Sequence, residues 1–279
     1  MSILAVQLNH PGREKPFRLG NGYRQTPNGI IREWNNDATH YRKFLKASGL
    51  YIQSPSDIPQ SNTLNFWGEW EGNSYFDPVP DAYAYGIHTP FHSTSPRGHQ
   101  NTDPYVYGDA FRYAICKQRG RLTTLDAGSV ILFGSSFKSG FALDTVFVVG
   151  EFQTVQTVYA ENAARYSRTY RQATLEALGN VYLAPNPNSA LRLYSGVSYA
   201  PDVERFSFVP CRVGETIGAH FRARCLFPYN PHRTLPFSNN PTGIKILGEG
   251  SANVHSIWDM VLHQVMLSGF SLGINIQEP

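Results

Sequence analysis

Five consecutive residues, Trp67-Gly68-Glu69-Trp70-Glu71, carry the densest chemistry in the chain. In an extended strand Trp67, Glu69 and Glu71 point one way, and Trp70 points the other way with Gly68. An indole beside two carboxylates suits a flat, hydrogen-bonding ligand such as a nucleobase. The ring stacks, and a carboxylate accepts from ring or exocyclic N–H groups. Alternatively, Glu69 or Glu71 is a general acid or base with a pKa raised beside an indole. The plain alternative is a strand edge with buried Trp and exposed Glu.

Three histidines follow, His88, His92 and His99. The spacing of the first two brackets Pro90 and so cannot be a helical metal pair. A loop can still converge three imidazoles on zinc, with Asp103 adding an oxygen. No HxxE, HxD or CxxC companion stands near them, so neither metal nor cofactor is expected. His88 and His92 are then acid–base or phosphate-contacting candidates, and His99 and Asp103 are ligand contacts; the alternative is ordinary surface histidines. Asn101-Thr102-Asp103-Pro104 is turn chemistry joined to Tyr105 and Tyr107, which can stack a base or donate a hydroxyl. Cys116 beside Lys117 fits a small core residue better than a nucleophile, because adjacent strand residues face opposite ways.

Further along, Gly134 to Gly140 (GSSFKSG) has two glycines, three hydroxyls and a cation. Such a loop can cradle phosphate through backbone N–H groups, with Ser135 and Lys138 as contacts. It is not a Walker A loop, since GxxxxGK[ST] is absent. Arginines gather at Arg165, Arg168 and Arg171, and again at Arg222, Arg224 and Arg233 with His220 and His232. A basic helical row can track a nucleic-acid backbone, although a solvated face is the commoner use.

The elements that must position these groups are legible in outline. Strands are expected at Ile3 to Leu8, Leu64 to Trp70, Phe111 to Cys116, Val130 to Phe133, Leu143 to Gly150, Val181 to Ala184, Leu191 to Tyr194, Phe206 to Val209 and Phe270 to Ile276. Helices are expected at Arg32 to Ala47, Ala160 to Leu178 and Asn253 to Leu267, the last capped by Asn253. Ser54 to Ser61 is a polar connector, and Gly134 to Gly140 an open loop over a site. The fold class is therefore α+β: a β-rich single domain over residues 1–279. Its sheet is mixed or antiparallel, with barrel-like closure an option, and there are about three helices. The first and last strands are candidates to pair in one sheet.

Bulk composition narrows the classes. Aromatics reach 13% and charged residues only 16%, with 19 Pro and 24 Gly, which favours strands and turns over helices. A formal charge of +3 permits nucleic acid as a partner without arguing for it. Three scattered cysteines make neither a disulfide framework nor a zinc knuckle. The start, MSILAVQLNHPGREK, lacks a basic leader, and no apolar window has membrane-helix length. A cytoplasmic protein with no membrane partner is the expectation.

LNHPGREK, the WGEWE block, NTDPYVYGD, LDAGSVILFGS with LDTVFVVGE, and IWDMVLHQV…GFSLGI together resemble the bacterial and phage proteins grouped as nucleotide modification associated domains. That resemblance spans most of the chain. It implies a nucleotide or nucleic-acid ligand and a setting in DNA modification or phage defence, and it carries over no catalytic residues. The DAGSVILFGS…FVVGE pattern is also similar to base-binding barrels of the PUA and ASCH type, a likeness of fold alone. Three functions stand as alternatives. One is a binder in which Trp67 or Trp70 stacks, Glu69 or Glu71 reads the base edge, and His88, His92 and Lys138 meet phosphate. Another is a metal-independent hydrolase or phosphodiesterase of the same ligand class, with Glu and His dividing acid and base roles. The third is a structural or interaction protein whose aromatics are simply packed.

Overall fold

The computed structural model describes residues 2–10, 17–20, 22–34, 41–79, 86–92, 101–114, 120–137, 140–155, 165–178, 191–214, 223–229, 237–240 and 243–279. Their strands, in chain order, are β1 Leu4–Asn9, β2 Tyr23–Thr26, β3 Gly29–Arg32, β4 Arg42–Ile52, β5 Gln60–Glu69, β6 Ser74–Pro78, β7 Gly86–Pro90, β8 Arg112–Ala114, β9 Val130–Phe137, β10 Gly140–Val155, β11 Leu191–Gly196, β12 Val209–Val213, β13 Cys225–Pro228, β14 Gly243–Glu249 and β15 Ser271–Ile276. They form two sheets, so the described fold is β-rich, as the abundance of aromatic and turn residues requires.

One sheet runs β14-β1-β9-β10-β11-β8, with β13 also on β10. Every residue of β1 is buried, because β9 flanks it in parallel and β14 antiparallel and both faces are covered. Leu4, Val6 and Leu8 enter one apolar cluster and Ala5 the other, the alternation a strand imposes. Helix α1 (Ser251–Leu267) covers the second face. It buries Val254, Ile257, Trp258, Val261, Leu262 and Val265, an i, i+3, i+4, i+7 stripe.

The other sheet runs β15-β12-β5-β4-β7-β6-β3-β2, and β15 also returns to β4. Strands β4, β5, β12 and β15 therefore close into a ring, while β7-β6-β3-β2 extends from the first half of β4 as an open wing. The wing joins β4 in parallel at Leu45 opposite His88. Ring closure pairs Gly49 with Ile276 and Ile52 with Leu272. A Cβ at Gly49 would collide with the carbonyl oxygen of Asn275, so the residue there must be small.

Several expectations change. The stretch read as a helix over Arg32 to Ala47 overlaps the end of β3 and the start of β4, which pairs with β5 from Arg42–Glu69 to Tyr51–Gln60; residues 35–40 lie outside the described set. Both faces of β4 are buried at its start (Arg42, Lys43, Phe44, Leu45), so no strand period shows in its sequence, and cross-strand pairing overrides the helical spacing. Gly134 to Phe137 is the end of β9 rather than an open loop, and Lys138 lies outside the described residues. The first and last strands belong to different sheets. Besides the short 3-10 helix Gly120–Thr124, two helical segments are described where about three are expected. One covers 168–178, opening with Arg168–Tyr170 and widening into a π-helical Arg171–Glu176, and α1 is the other. The latter starts after Gly250 and not at Asn253. The strand expected at Val181 to Ala184 falls outside the described residues, as does Cys116. Among the described residues no helix is long and apolar enough to cross a membrane.

Candidate functional site

Where the two sheets meet, the ends of β1, β4, β5 and β13 bring buried charges together. Arg42 and Glu69 are direct cross-strand partners, and Arg42 Nη1 lies 3.2 Å from Glu69 Oε2. On its other side Arg42 Nε lies 3.2 Å from Asp144 Oδ2. Asp144 Oδ1 in turn accepts from Arg224 Nη2 at 2.6 Å. His10, directly after β1, places Nδ1 3.4 Å from Glu69 Oε2, and its side chain is 14% exposed. The Arg224 guanidinium stands 5.0 Å from the centre of the Trp67 ring. The contacts thus run from half-buried Trp67 inward through Arg224, Asp144 and Arg42 to Glu69.

Asp144 is aimed by a backbone device. In the β9–β10 ladder Leu143 pairs with Gly134 and Thr145 with Phe133, which leaves Asp144 as an extra, unpaired residue. A bulge of this kind redirects a side chain and is common beside functional sites. The redirected carboxylate meets Arg42 of β4 and Arg224, the residue before β13.

A second group of contacts holds the loop that carries Asp103. The Asp103 N–H donates to Glu69 Oε1 at 3.1 Å, and the Glu71 N–H donates to Thr102 Oγ1 at 3.1 Å. From the π-helical turn, the Ala173 carbonyl accepts from Thr102 N–H at 2.8 Å, and Thr174 Oγ1 donates to the Thr102 carbonyl at 3.0 Å. Asp103 is itself buried, and its Oδ1 has no hydrogen-bond partner. Burial, and then the neighbouring Glu69 carboxylate, push its pKa well above the ordinary carboxylate range, while the Ala114 backbone and Arg42 pull the other way.

The WGEWE block is split by this geometry. Trp67 and Glu69 share one face of β5, but the strand stops at Glu69 and Glu71 leaves the pattern. Glu71 pairs at 3.0 Å with Lys43, whose neighbour Arg42 serves Glu69. Trp70 is buried, with its indole N–H donating to the Asn73 carbonyl at 2.9 Å and its ring 5.3 Å from Tyr107. Of the two tryptophans, Trp67 is the one with substantial contact to solvent.

The remaining candidates go elsewhere. His88 is buried, with Nδ1 2.9 Å from Ser74 Oγ and its ring 5.0 Å from Phe76. His92 Nδ1 lies 3.5 Å from Thr169 Oγ1, and His99 is outside the described residues. Tyr105 and Tyr107 are buried with rings 5.4 Å apart. The Tyr105 hydroxyl donates to Glu278 Oε1 at 2.9 Å, and burial followed by that carboxylate raises its pKa. Ser135 is buried in β9 opposite Ala142, and its hydroxyl has no hydrogen-bond partner. Among the described residues no three His, Cys, Asp or Glu side chains gather to hold a metal ion. The thiols of Cys211 and Cys225 are buried, which pushes both up to about 12.

Sequence reasoning missed His10, Arg42 and Asp144, and it counted Arg224 only within a basic group. The available signal was Asp144, a lone acid inside the apolar run LDTVFVVG. A charge in a strand buried on both faces demands a partner. Comparison with protein-family models, with curated proteins and with solved structures finds no match.

Proposed function

We propose that the protein binds a nucleotide or a nucleic-acid base at the Trp67 end of this charged cluster. The observation that carries the reading is the pairing of a half-buried indole with a guanidinium 5.0 Å from its ring centre, that guanidinium being held by a buried carboxylate. A flat, polar ring fits beside such a pair, since stacking and cation–π contact act together. Glu69 follows two residues along the same face of β5, its side chain buried and paired with Arg42. The cation next to the stacking ring is Arg224, expected from the sequence only within a basic group. The resemblance to nucleotide modification associated domains supports the same ligand class and a role in DNA modification or phage defence, and the composition a cytoplasmic setting.

A thermal-shift series with nucleoside monophosphates, triphosphates and short single-stranded oligonucleotides tests this. The expected result is a raised midpoint with one nucleotide class and its loss in Trp67→Ala. No shift with any nucleotide or oligonucleotide would leave the interaction-protein reading in its place.

A further inference from the structure

Resting on that reading, we infer that the site cleaves N-glycosidic bonds, with Asp103 as the general acid and Glu69 as the general base that activates water. Two carboxyl groups in unlike environments meet here. Glu69 faces the Arg42 guanidinium at 3.2 Å, with His10 Nδ1 3.4 Å away. Asp103 sits beside it, buried at 1% exposure, with Oδ1 lacking a hydrogen-bond partner. Burial and the Glu69 charge keep the Asp103 carboxyl protonated to higher pH than usual. A carboxylate paired with a guanidinium beside a buried carboxyl can divide base and acid work.

Charge decides between glycosidic and phosphoryl chemistry. Phosphoryl transfer gathers negative charge and calls for unopposed cations. Here both arginines are matched by carboxylates, Arg42 by Glu69 and Asp144, and Arg224 by Asp144. Cleavage of a glycosidic bond instead builds positive charge on the sugar ring, which flanking carboxylates stabilise. Position agrees with charge. Residues two apart on one strand face stand roughly 7 Å apart, so a base beside Trp67 holds its sugar near Glu69. Both carboxyls are buried, so substrate reaches them only when the residues that cover them move.

In the step itself, Glu69 takes a proton from water and the water oxygen bonds to C1′. The C1′–N bond breaks, its electron pair stays with the base, and Asp103 gives that nitrogen its proton. Free base and a sugar with a 1′-hydroxyl leave, and the two carboxyls exchange their proton through solvent.

The test incubates the full chain with nucleoside 5′-monophosphates and with a single-stranded oligonucleotide. Free base is measured by chromatography, and binding is followed in parallel. Expected is base release that falls about 100-fold or more in Asp103→Asn, as removal of a general acid does, with binding changed less than about threefold. The wild-type pH–rate profile should be bell-shaped, and Asp103→Asn should lose its alkaline limb. If that variant fails to fold, Glu69→Gln, which should abolish release, and the alkaline limb of the wild type decide the matter. Binding without base release, or release at the wild-type rate in a folded Asp103→Asn, overturns the inference and leaves the binding reading in place. Absence of binding overturns both.

Discussion

Two buried polar groups flank the start of β4, and they are built on opposite plans. Around His88 the chain surrounds an imidazole with rings, Phe76 at 5.0 Å and Tyr23 at 6.3 Å, and meets Nδ1 with the Ser74 hydroxyl. Around Arg42 it buries opposite charges together and aims Asp144 at two guanidinia through a bulge. A buried ion pair is often no more stable than apolar residues of the same volume, because desolvation offsets the attraction. The aromatic nest therefore reads as packing. The charged cluster has a cost that packing alone does not explain, and this sets it apart as the place where chemistry belongs.

Asp144→Ala should separate the two regions most sharply. It takes the carboxylate from Arg224 and one of the two from Arg42, and breaking a buried pair costs about 3–5 kcal/mol, whereas Ser74→Ala in the nest should cost about 1–2 kcal/mol. Urea denaturation of both variants measures the difference, and equal losses would erase the distinction drawn here. Next in size is the contrast between the tryptophans. Trp70→Ala should lose about 3–5 kcal/mol as a core truncation, while half-buried Trp67→Ala should lose about 1 kcal/mol and be read mainly in ligand binding. A Trp67→Ala variant as unstable as Trp70→Ala would move Trp67 into the core.

The smallest effect is in pH dependence. Asp103 has a raised folded-state pKa, so its contribution to stability is fully present below the unfolded carboxylate value of about 3.9. That contribution is lost as pH rises toward the elevated folded value. Asp103→Asn should flatten this decline in a series of denaturation curves, and an unchanged slope would show that the carboxyl ionises normally.

Strands whose neighbours are apolar and whose ends carry turn residues could be read directly, among them β1, β9, β10 and β15, as could helix α1 from its periodic apolar stripe. Glu69 could be singled out because an acid between two tryptophans is conspicuous. Arg42 could not. It lies in a stretch with helical spacing, and only pairing with β5 shows that it faces Glu69. Asp144 stood out as a lone acid in an apolar run, but its partners were hidden because a bulge is a mismatch between two strands, visible only when both are in register. His88 was near the site in sequence yet lies apart from it, because β7 joins β4 beyond Glu69, and Glu71 leaves the Glu69 face because β5 ends at Glu69. Trp70 likewise turns inward once the strand has ended.

The closed ring has a consequence in time. Its last seam joins Ile52 to Leu272 and Gly49 to Ile276, and a second joins Leu64 to Val213, all pairs far apart along the chain. Such contacts bring large loop-closure entropy before any reward, so folding should be slow compared with that of a helical protein of this size. The β4–β5 hairpin can form early from local pairing, but it is committed to the native register only when β12 and β15 arrive. Glu69 and Arg42 sit on that hairpin, so the charged cluster can meet in full only after the ring has shut.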